Sequence, residues 1–315
     1  MWQTIEQMAP YAVGYTIPIL ITALGGLFSE RSGIINIGLE GLMVIGSFAG
    51  GITVYYLGPV IGYGPAAWLG ILMAVIAGGV FSLLHAFASI NLNADQTISG
   101  TAINLLATAL VVYISRHFVG TANIVINSMT RFDVPLLKDI PVLGRLFFTD
   151  TYPTTWFVLA FLVASWYVIE HTPFGLRLRS CGEFPEAADV AGISVAKIRY
   201  IGVILSGICA GMGGAIYTVT TAGQCNGSVD GLGFIALAGL IFGQWRPFRV
   251  LAATLFFGFS LTLAQIAMLI PAFANVPILA LKVFPYTVTM IALVIFSKSS
   301  QAPRAEGKFF EYKKN

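Results

Sequence analysis

Residues 41–84 read GLMVIGSFAGGITVYYLGPVIGYGPAAWLGILMAVIAGGVFSLL and contain no Asp, Glu, Lys, Arg or His. A helix needs about 20 apolar residues to cross the hydrocarbon core of a bilayer, so this run of 44 residues has room for two crossings. An outer-membrane barrel would show short alternating segments, whereas this run is continuous. The run therefore predicts a pair of membrane-spanning helices.

Further uncharged runs lie on both sides of this one. They cover 23 residues between Glu6 and Glu30, 30 between Arg199 and Asp230, and 32 between Arg249 and Lys282. We predict an all-α, polytopic membrane protein with about nine transmembrane helices, in the range of about eight to ten. The predicted spans are Met8–Phe28, Ile34–Leu57, Ala66–Ile90, Ile98–Val119, Pro153–Ile169, Tyr200–Thr221, Leu232–Gln244, Phe248–Ile270 and Ile278–Phe296. The seventh span is short, and it is predicted to be a half-helix or a helix tilted into a cavity.

The composition agrees with a membrane protein. Of the 315 residues 57% are apolar and 10% are charged, whereas a soluble globular domain carries about 25% charged residues. The 17 basic residues are nearly balanced by 14 acidic ones. This balance excludes a nucleic-acid binder, which would concentrate Lys and Arg. The 23 Phe residues exclude a disordered chain. The three cysteines have no metal-ligand spacing, and packing is the role expected of them.

The basic residues predict the orientation of the spans. With residues 171–199 in the cytoplasm, 12 of the 17 Lys and Arg residues lie inside and five outside. This asymmetry predicts a cytoplasmic C-terminus and, with nine spans, an external N-terminus. Residues 1–300 then form one transmembrane domain with an external excursion at 120–152 and a cytoplasmic segment at 171–199. Residues 301–315 are expected to form a solvated, basic cytoplasmic tail. No cleavable signal peptide is predicted, because the N-terminus lacks a basic region.

Few polar side chains occur within the predicted spans. Asn36 and Glu40 are four residues apart, near the inner end of the second span. A charged group at the centre of a span costs about 3 kcal/mol, so such groups usually face a bundle interior or an aqueous path. We predict that Asn36, Glu40 and Asn104 belong to the substrate pathway. Capping or backbone pairing at the cytoplasmic end is the alternative for Asn36 and Glu40. His85 is expected to satisfy a helix contact.

Glycine pairs at GxxxG spacing predict close helix packing, because small residues let helix backbones approach in lipid. The pairs are Gly46–Gly50, Gly207–Gly211 and Gly239–Gly243. Two glycine-rich stretches, residues 38–50 and 231–243, resemble each other. An inverted internal repeat and a shared composition both explain this likeness.

The sequence contains no motif for catalysis. It has no phosphate-binding G-x-x-x-x-G-K-[ST] loop, no nucleophile elbow and no HExxH. The GLGFIA at residues 231–236 matches a loose dinucleotide pattern, but it lies in an apolar helix without a preceding strand. We therefore predict neither catalytic residues nor metal ligands.

The segment 171–199 contains a short predicted helix. In residues 182–193, GEFPEAADVAGI, Pro185 suits the first helical turn and Gly192 a left-handed stop. The carboxylates of Glu183 and Glu186 lie where the helix dipole favours anions. One face carries Phe184, Ala187, Ala188 and Ala191. A helix of about seven residues is unstable alone, so we predict that it docks into a groove of a partner. A helix lying on the bilayer surface is the less favoured alternative.

Four stretches of the chain together resemble one family. They are residues 24–50 (LGGLFSERSGIINIGLEGLMVIGSFAG), 95–106 (DQTISGTAINLL), 182–200 (GEFPEAADVAGISVAKIRY) and 231–243 (GLGFIALAGLIFG). The chain is similar to the membrane permeases of bacterial ABC importers in the class that serves branched-chain amino acids, ribose-type sugars and nucleosides. The resemblance is closest to the nucleoside permeases. It departs from the ribose-type relatives at residues 37–40, where they carry an Asp-Leu-Ser-type motif, and it is weakest over residues 120–152.

The resemblance implies a multi-subunit complex in the bacterial cytoplasmic (inner) membrane. Two homologous permeases, in contact with membrane lipid, would sit on ABC ATPase subunits, and an extracytoplasmic substrate-binding protein or lipoprotein would deliver the ligand. The short helix then resembles the coupling helix that fits the ATPase. The residues assigned to this contact are Gly182, Glu183, Pro185, Glu186, Ala187, Ala188 and Gly192. ATP and Mg would be used by the ATPase, and this chain would bind no cofactor and no nucleic acid.

The expected function is therefore a non-enzymatic permease subunit of an ATP-driven importer, which forms a nucleoside pathway together with a second permease. A permease of the same class for a sugar or a branched-chain amino acid is the alternative. An ion-coupled carrier would need several ionisable groups deep in the spans, and Glu40 is essentially the only one. A structural subunit without a pathway is disfavoured, because the resemblance extends over most of the chain.

Overall fold

The computed structural model describes residues 2–135, 137–141, 144–266 and 302–310, with the single positions 283, 287, 290 and 291. These residues are mostly helical. The helices are α1 (Trp2–Arg31), α2 (Leu39–Ile61), α3 (Tyr63–Ala86), α4 (Gln96–Phe118), α5 (Pro153–His171), α6 (Pro173–Glu183), α7 (Pro185–Val190), α8 (Val195–Tyr217), α9 (Leu232–Phe242) and α10 (Pro247–Ile266). Single π-helical turns cover Phe87–Asn91, Gly144–Phe148 and Thr218–Ala222. The strands β1 (Ile124–Val125) and β2 (Gln224–Cys225) pair in an antiparallel ribbon.

Seven of the described helices are long and apolar enough to cross a membrane. They correspond to the predicted spans one to six and eight. The predicted seventh span corresponds to α9, which has 11 residues and is too short for a full crossing. Of the predicted ninth span, Ile278–Phe296, the structure describes only positions 283, 287, 290 and 291, so the count of about nine is not confirmed.

The helices run between two ends of the bundle, which we call the α7 end and the ribbon end. Gly182, just before α7, packs against the carbonyl of Arg31 at the end of α1. The ribbon lies opposite, because β1 follows α4 and β2 follows α8. Both α4 and α8 therefore begin at the α7 end and finish at the ribbon end. The helix α1 runs in the reverse direction, and α9 also finishes at the α7 end, where Trp245 lies against Glu30.

Close backbone contacts hold α2, α3 and α8 together. A Cβ atom at Gly46 would lie 2.0 Å from the carbonyl oxygen of Gly211, and one at Gly78 would lie 2.3 Å from that of Gly207. No side chain fits at these crossings, so the helix axes approach as only glycine permits. Gly243 likewise packs against the first turn of α10. The packing role predicted from the GxxxG spacing is confirmed.

His85 and the cysteines have the packing roles expected of them. The Nε2 atom of His85 lies 2.9 Å from the carbonyl oxygen of Ile35, and its Nδ1 atom lies 3.0 Å from Oγ of Ser99. Because a carbonyl only accepts, Nε2 carries the proton and Nδ1 accepts from the serine. The cysteines are free and buried, and they are Cys181, Cys209 and Cys225.

The described part of the tail, residues 302–310, is folded onto the α7 end. The backbone N–H of Ala305 donates to the carbonyl of Gly182 at 2.8 Å, and that of Gly307 donates to the carbonyl of Gly33 at 3.2 Å. Ala305 and Phe310 are buried. The solvated tail expected from its basic composition is therefore wrong for these residues, because their apolar side chains and backbone groups find partners on the bundle.

Candidate functional site

The loop between α1 and α2, residues 32–38, is held by side chains from two other helices. The backbone N–H of Ile35 donates to Oε1 of Gln96 at 2.7 Å. Nδ2 of Asn36 donates to Oγ of Ser206 at 2.9 Å, and Nδ2 of Asn104 donates to the carbonyl of Ile37 at 3.0 Å. The bonds from Gln96 and Asn104 satisfy backbone groups of this non-helical loop, which would otherwise be costly to bury.

The loop reaches into the bundle from the α7 end. Ser206 is the twelfth residue of α8 and Asn104 is the ninth of α4, and both helices begin at that end. At 1.5 Å per residue, the two side chains lie about 12 to 17 Å along their helices. The first turn of α2 therefore begins within the depth of the bundle, not at its surface.

A second helix begins at the same place. Glu40, in the first turn of α2, accepts the backbone N–H of Gly231 at Oε1 (2.9 Å) and that of Gly233 at Oε2 (2.7 Å). Gly231 is the N-cap of α9, so the carboxylate lies at the positive end of that helix dipole. A Cβ atom at Gly233 would lie 2.5 Å from the Cα of Glu40, so a larger residue would separate the two helices.

We call the place where the first turns of α2 and α9 meet at Glu40 the junction. It bears on two expectations from the sequence. The short helix α9 is a half-helix that starts inside the bundle. Gly38 and Gly231, which begin the two similar glycine-rich stretches, are the N-caps of α2 and α9. Because α2 runs to the ribbon end and α9 to the α7 end, the arrangement favours an inverted repeat over shared composition.

The three predicted pathway residues meet at this junction but differ in exposure. Asn36 is fully buried, and its Oδ1 accepts the N–H of Gly38 at 3.1 Å, so the structure gives it a positioning role in the loop. Glu40 and Asn104 are half-buried. Oδ1 of Asn104 accepts the N–H of Gly41 at 2.7 Å. Glu40 does pair with backbone, as its alternative proposed, but it does so deep in the bundle.

Two pairs of polar side chains near the junction are not among the predicted pathway residues. Oη of Tyr217 donates to Oδ2 of Asp230 at 2.6 Å, and Asp230 is exposed and directly precedes Gly231. The side chain of Tyr15 hydrogen-bonds that of Gln265 and packs 6.3 Å from the ring of Tyr217. The signal that could have located Asp230 is its position next to the first glycine of the repeat-like stretch.

At the α7 end, the structure buries some residues of the predicted docking face and exposes the others. The helix α7 ends at Val190, and Gly192 has φ +80°, which confirms the left-handed stop. Ala188 is only 3% exposed and packs inside the chain together with Pro185. A six-residue helix that lies on the bundle must turn one side inwards, and Pro185 and Ala188 share that side. The prediction that Ala188 belongs to the free face is therefore wrong.

The outward side of α7 carries both apolar side chains and the exposed carboxylates of Glu186 and Asp189. Val190 is 91% exposed and Phe184 is 54% exposed. Ala187, Ala191 and Glu186 are exposed as well, Glu183 is half-buried and Gly182 is buried. We call the exposed apolar residues the α7 face, and they are Phe184, Ala187, Val190 and Ala191.

A pair of carboxyl groups joins the tail to α1. The indole N–H of Trp245 donates to Oε2 of Glu30 at 2.5 Å, and the side chain of Glu306 forms a hydrogen bond with Glu30. Burial raises the pKa of Glu306 to about 7 from its ordinary value of 4.5, although Glu30 and the charge of Arg31 act to lower it. The carboxyl group of Glu306 therefore binds a proton more tightly in the docked tail than it would in water.

A basic cleft opens next to this pair. It has a volume of about 710 Å³, and its charged lining consists of Arg31, Arg179, Arg246, Arg249, Glu170 and Glu183. Trp166 and Phe248 form apolar walls. Within the described residues, no group of three or more His, Cys, Asp or Glu side chains could hold a metal ion.

Comparison with known proteins adds the family context. The family described as the permease component of branched-chain amino acid transport systems matches residues 8–295. A guanosine ABC transporter permease protein of Bacillus subtilis is 45% identical over 308 residues, which cover 97% of this chain and 96% of that protein. A nucleoside ABC transporter permease protein of Lactococcus lactis is 43% identical over 307 residues, with 96% of each chain covered. A putative glucose ABC transporter permease protein of Haloferax volcanii is 33% identical over 245 residues, which cover 76% of this chain and 71% of that protein.

Proposed function

Because the chain belongs to the family of permease components of branched-chain amino acid transport systems, we propose that it forms, with a second permease, the pathway of an ATP-driven nucleoside importer. As a member of this family it is a multi-pass membrane permease of an ABC transporter and not itself an enzyme. ATP hydrolysis takes place in a separate ATPase, and a partner permease completes the transporter. ATP and Mg would accordingly bind to the ATPase, and this chain would hold no cofactor.

The observation that carries the nucleoside assignment is the near full-length similarity to permeases named for guanosine and for nucleosides. The relative named for glucose is less similar and covers less of the chain. The junction of α2 and α9 supports a pathway, because a half-helix that begins inside a bundle is how transporters place helix ends at mid-depth. An extracytoplasmic binding protein would deliver the ligand.

An ion-coupled carrier is less well supported. Such a carrier needs carboxylates that take up and release ions within the spans. Both oxygens of Glu40 are instead bonded to the backbone at α9, and Glu30 is bonded to Trp245. The two carboxylates therefore have structural partners.

For the topology we propose nine crossings, with the α7 end in the cytoplasm and both the N-terminus and the ribbon outside. Residues 302–310 and α7 lie at the same end of the bundle, which supports a cytoplasmic C-terminus. The same end carries the basic residues of the cleft, in keeping with the positive-inside rule. Anionic phospholipid headgroups of the bacterial cytoplasmic membrane would bind at this cleft.

For the coupling we propose that α7 fits a groove of the ATPase through the α7 face. A face of exposed apolar side chains at an aqueous end of a membrane protein is costly unless a partner covers it. The tail contacts the residue that precedes α7, since the guanidinium of Arg304 lies 5.3 Å from the centre of the Phe184 ring. Force from the ATPase would pass through α7 and Gly182 to the carbonyl end of α1, against which Gly182 packs.

The test is uptake by cells that express the whole system, namely this chain with a second permease, an ATPase and a substrate-binding protein. Labelled guanosine and adenosine should be accumulated, whereas labelled ribose and leucine should not. Purification in mild detergent should recover the ATPase and the second permease with this chain. Uptake of ribose or leucine without nucleosides would overturn the substrate assignment, and uptake without any associated ATPase would overturn the ATP-driven mechanism.

A further inference from the structure

Residues 224–231, which we call the descending segment, connect the ribbon to α9. The first two residues form β2, which pairs with β1 beyond the end of α4. Further along, a Cβ atom at Gly227 would lie 2.7 Å from Cγ2 of Val112 and 3.5 Å from the carbonyl oxygen of Thr108, both in α4. The last residue, Gly231, bonds to Glu40. The segment therefore runs along α4 from the ribbon end to the junction of α2 and α9.

The side chains of the descending segment alternate between two environments. The buried residues are Cys225, Gly227 and Val229, and the exposed ones are Gln224, Asn226, Ser228 and Asp230. Every exposed side chain in this row is polar. One wall of the segment is thus packed against the bundle, and the other is open and rich in hydrogen-bonding groups.

The backbone of the segment is satisfied largely by its own side chains. Oδ1 of Asn226 accepts the N–H of Ser228 at 3.1 Å, and Oγ of Ser228 accepts the N–H of Asp230 at 3.1 Å. Non-helical backbone at membrane depth is tolerated only where it is buried in protein or lines a water-filled cavity. Because the polar row is exposed, the second condition applies, and the open wall faces water instead of lipid tails.

We propose that Asn226, Ser228 and Asp230 form a wall of the substrate pathway and bind a neutral ligand rich in hydroxyl and ring N–H groups. This inference rests on the proposed function, and it adds the residues that contact the nucleoside. Nδ2 of Asn226 donates to base or sugar oxygens, and the hydroxyl of Ser228 donates or accepts. Oδ1 of Asp230 accepts from a ribose hydroxyl, while Tyr217 holds Oδ2.

The charge of Asp230 gives the wall a further selectivity. Its carboxylate lies next to that of Glu40, on the open side of the segment. A ligand that carries a phosphate would bring its negative charge close to these carboxylates, and this repulsion disfavours its binding. The wall therefore accepts nucleosides and rejects nucleotides.

Thiol labelling in the complete transporter tests the placement of the wall. We would introduce Asn226→Cys, Ser228→Cys and Asp230→Cys one at a time, with Val229→Cys as the matched buried control. The three native cysteines of this chain are buried, so labelling of this chain in the unmodified transporter supplies a low background. A membrane-impermeant thiol reagent should label the three polar positions and spare residue 229, and guanosine should slow the labelling. Equal labelling of all four positions, or none at the polar ones, would overturn the placement.

Uptake kinetics test the role of the wall in binding. Asn226→Ala and Ser228→Ala each remove one hydrogen bond to a neutral ligand and should raise the KM for guanosine roughly 2- to 12-fold, with the ATPase still bound. Asp230→Asn should make guanosine monophosphate a measurable competitor, whereas Asp139→Asn, in the external excursion, should not. If the unmodified transporter moves nucleosides but these variants keep its KM and its selectivity, the wall is refuted while the proposed function stands. If the unmodified transporter moves no nucleoside, the proposed function itself fails.

Discussion

Oε2 of Glu40 lies 2.7 Å from the backbone nitrogen of Gly233, and this bond joins the first turns of α2 and α9 deep inside the bundle. The two helices begin at one carboxylate and run to opposite ends. Glu40 thus stabilises the point at which two non-helical segments, residues 32–38 and 224–231, meet from opposite sides. Its removal should affect both the stability of the fold and the shape of the pathway.

Replacing Glu40 by alanine removes both acceptors and leaves two backbone N–H groups at the start of α9 unpaired. An unpaired buried donor costs about 1–3 kcal/mol, so thermal stability in detergent and nucleoside uptake should both fall. Glu40→Gln keeps one acceptor oxygen and should fall less. Asp139→Ala, at an exposed loop position, should leave the melting temperature unchanged. A Glu40→Ala protein with unaltered stability would contradict the capping role.

The α7 face can be tested by adding a charge. Val190→Glu places a carboxylate where a groove of the ATPase should close over an apolar side chain. Burial of an unpaired charge is strongly unfavourable, so copurification of the ATPase should fall at least tenfold while membrane insertion is retained. Leu92→Glu is the matched control, because Leu92 is 64% exposed between α3 and α4 at the same end. Equal loss in both variants would show that charge, and not position, is responsible.

The crossing of α2 and α8 should tolerate no added methyl group. A Cβ atom at Gly46 would lie 2.0 Å from the carbonyl oxygen of Gly211, so Gly46→Ala must push the helices apart. Overpacking of this kind costs about 1–3 kcal/mol, and a lower melting temperature of the purified complex should report it. At Gly64 a Cβ atom meets nothing within 4 Å, so Gly64→Ala should be neutral or slightly stabilising. Similar melting temperatures for the two variants would argue against the tight crossing.

Attachment of the tail should depend on pH through Glu306. Its pKa is raised by burial to about 7 from 4.5, so the docked tail binds a proton more tightly than the free tail does. Docking is then strongest below pH 4.5 and weakens as the pH rises to about 7. Glu306→Gln should remove this dependence and keep the tail docked at pH 8. The groups that face Glu306 are Glu30, which forms a hydrogen bond with it, and Arg31, whose charge opposes the shift.

Trypsin cleavage after Arg304 measures this attachment in the intact complex. The ratio of cleavage in the unmodified protein to that in Glu306→Gln, taken at each pH, cancels the pH dependence of the protease. The ratio should rise between pH 5 and pH 8. A constant ratio would show that the carboxyl pair does not control the tail.

The sequence predicted much of this fold because uncharged runs and glycine spacing are local signals. Runs such as residues 41–84 located the long helices, and Pro185 with Gly192 located α7 to within one residue. The short length of the predicted seventh span already indicates that α9 is not an ordinary full crossing. Its half-helix character could not be separated from a tilted helix, because that distinction depends on what meets its first turn.

The features that the sequence did not reveal depend on long-range contacts. Ala188 was assigned to the docking face because the pattern gives the spacing of a face but not the direction in which it points. The descending segment lies between the predicted spans Tyr200–Thr221 and Leu232–Gln244, and its alternating polar and small residues are visible at 224–230. What makes this alternation informative is the contact of Gly231 with Glu40, which are 191 positions apart.

The docked tail also has a consequence for biosynthesis. Residues 302–310 follow every described helix in the sequence, yet they complete the surface behind Phe184 and cover the carbonyl of Gly182. On the ribosome this segment emerges after α1 to α10, so a nascent chain can insert those helices before the surface proposed to bind the ATPase is complete. The ATPase would then bind only after this segment has been translated. A permease truncated before the tail would therefore not assemble into a transporter.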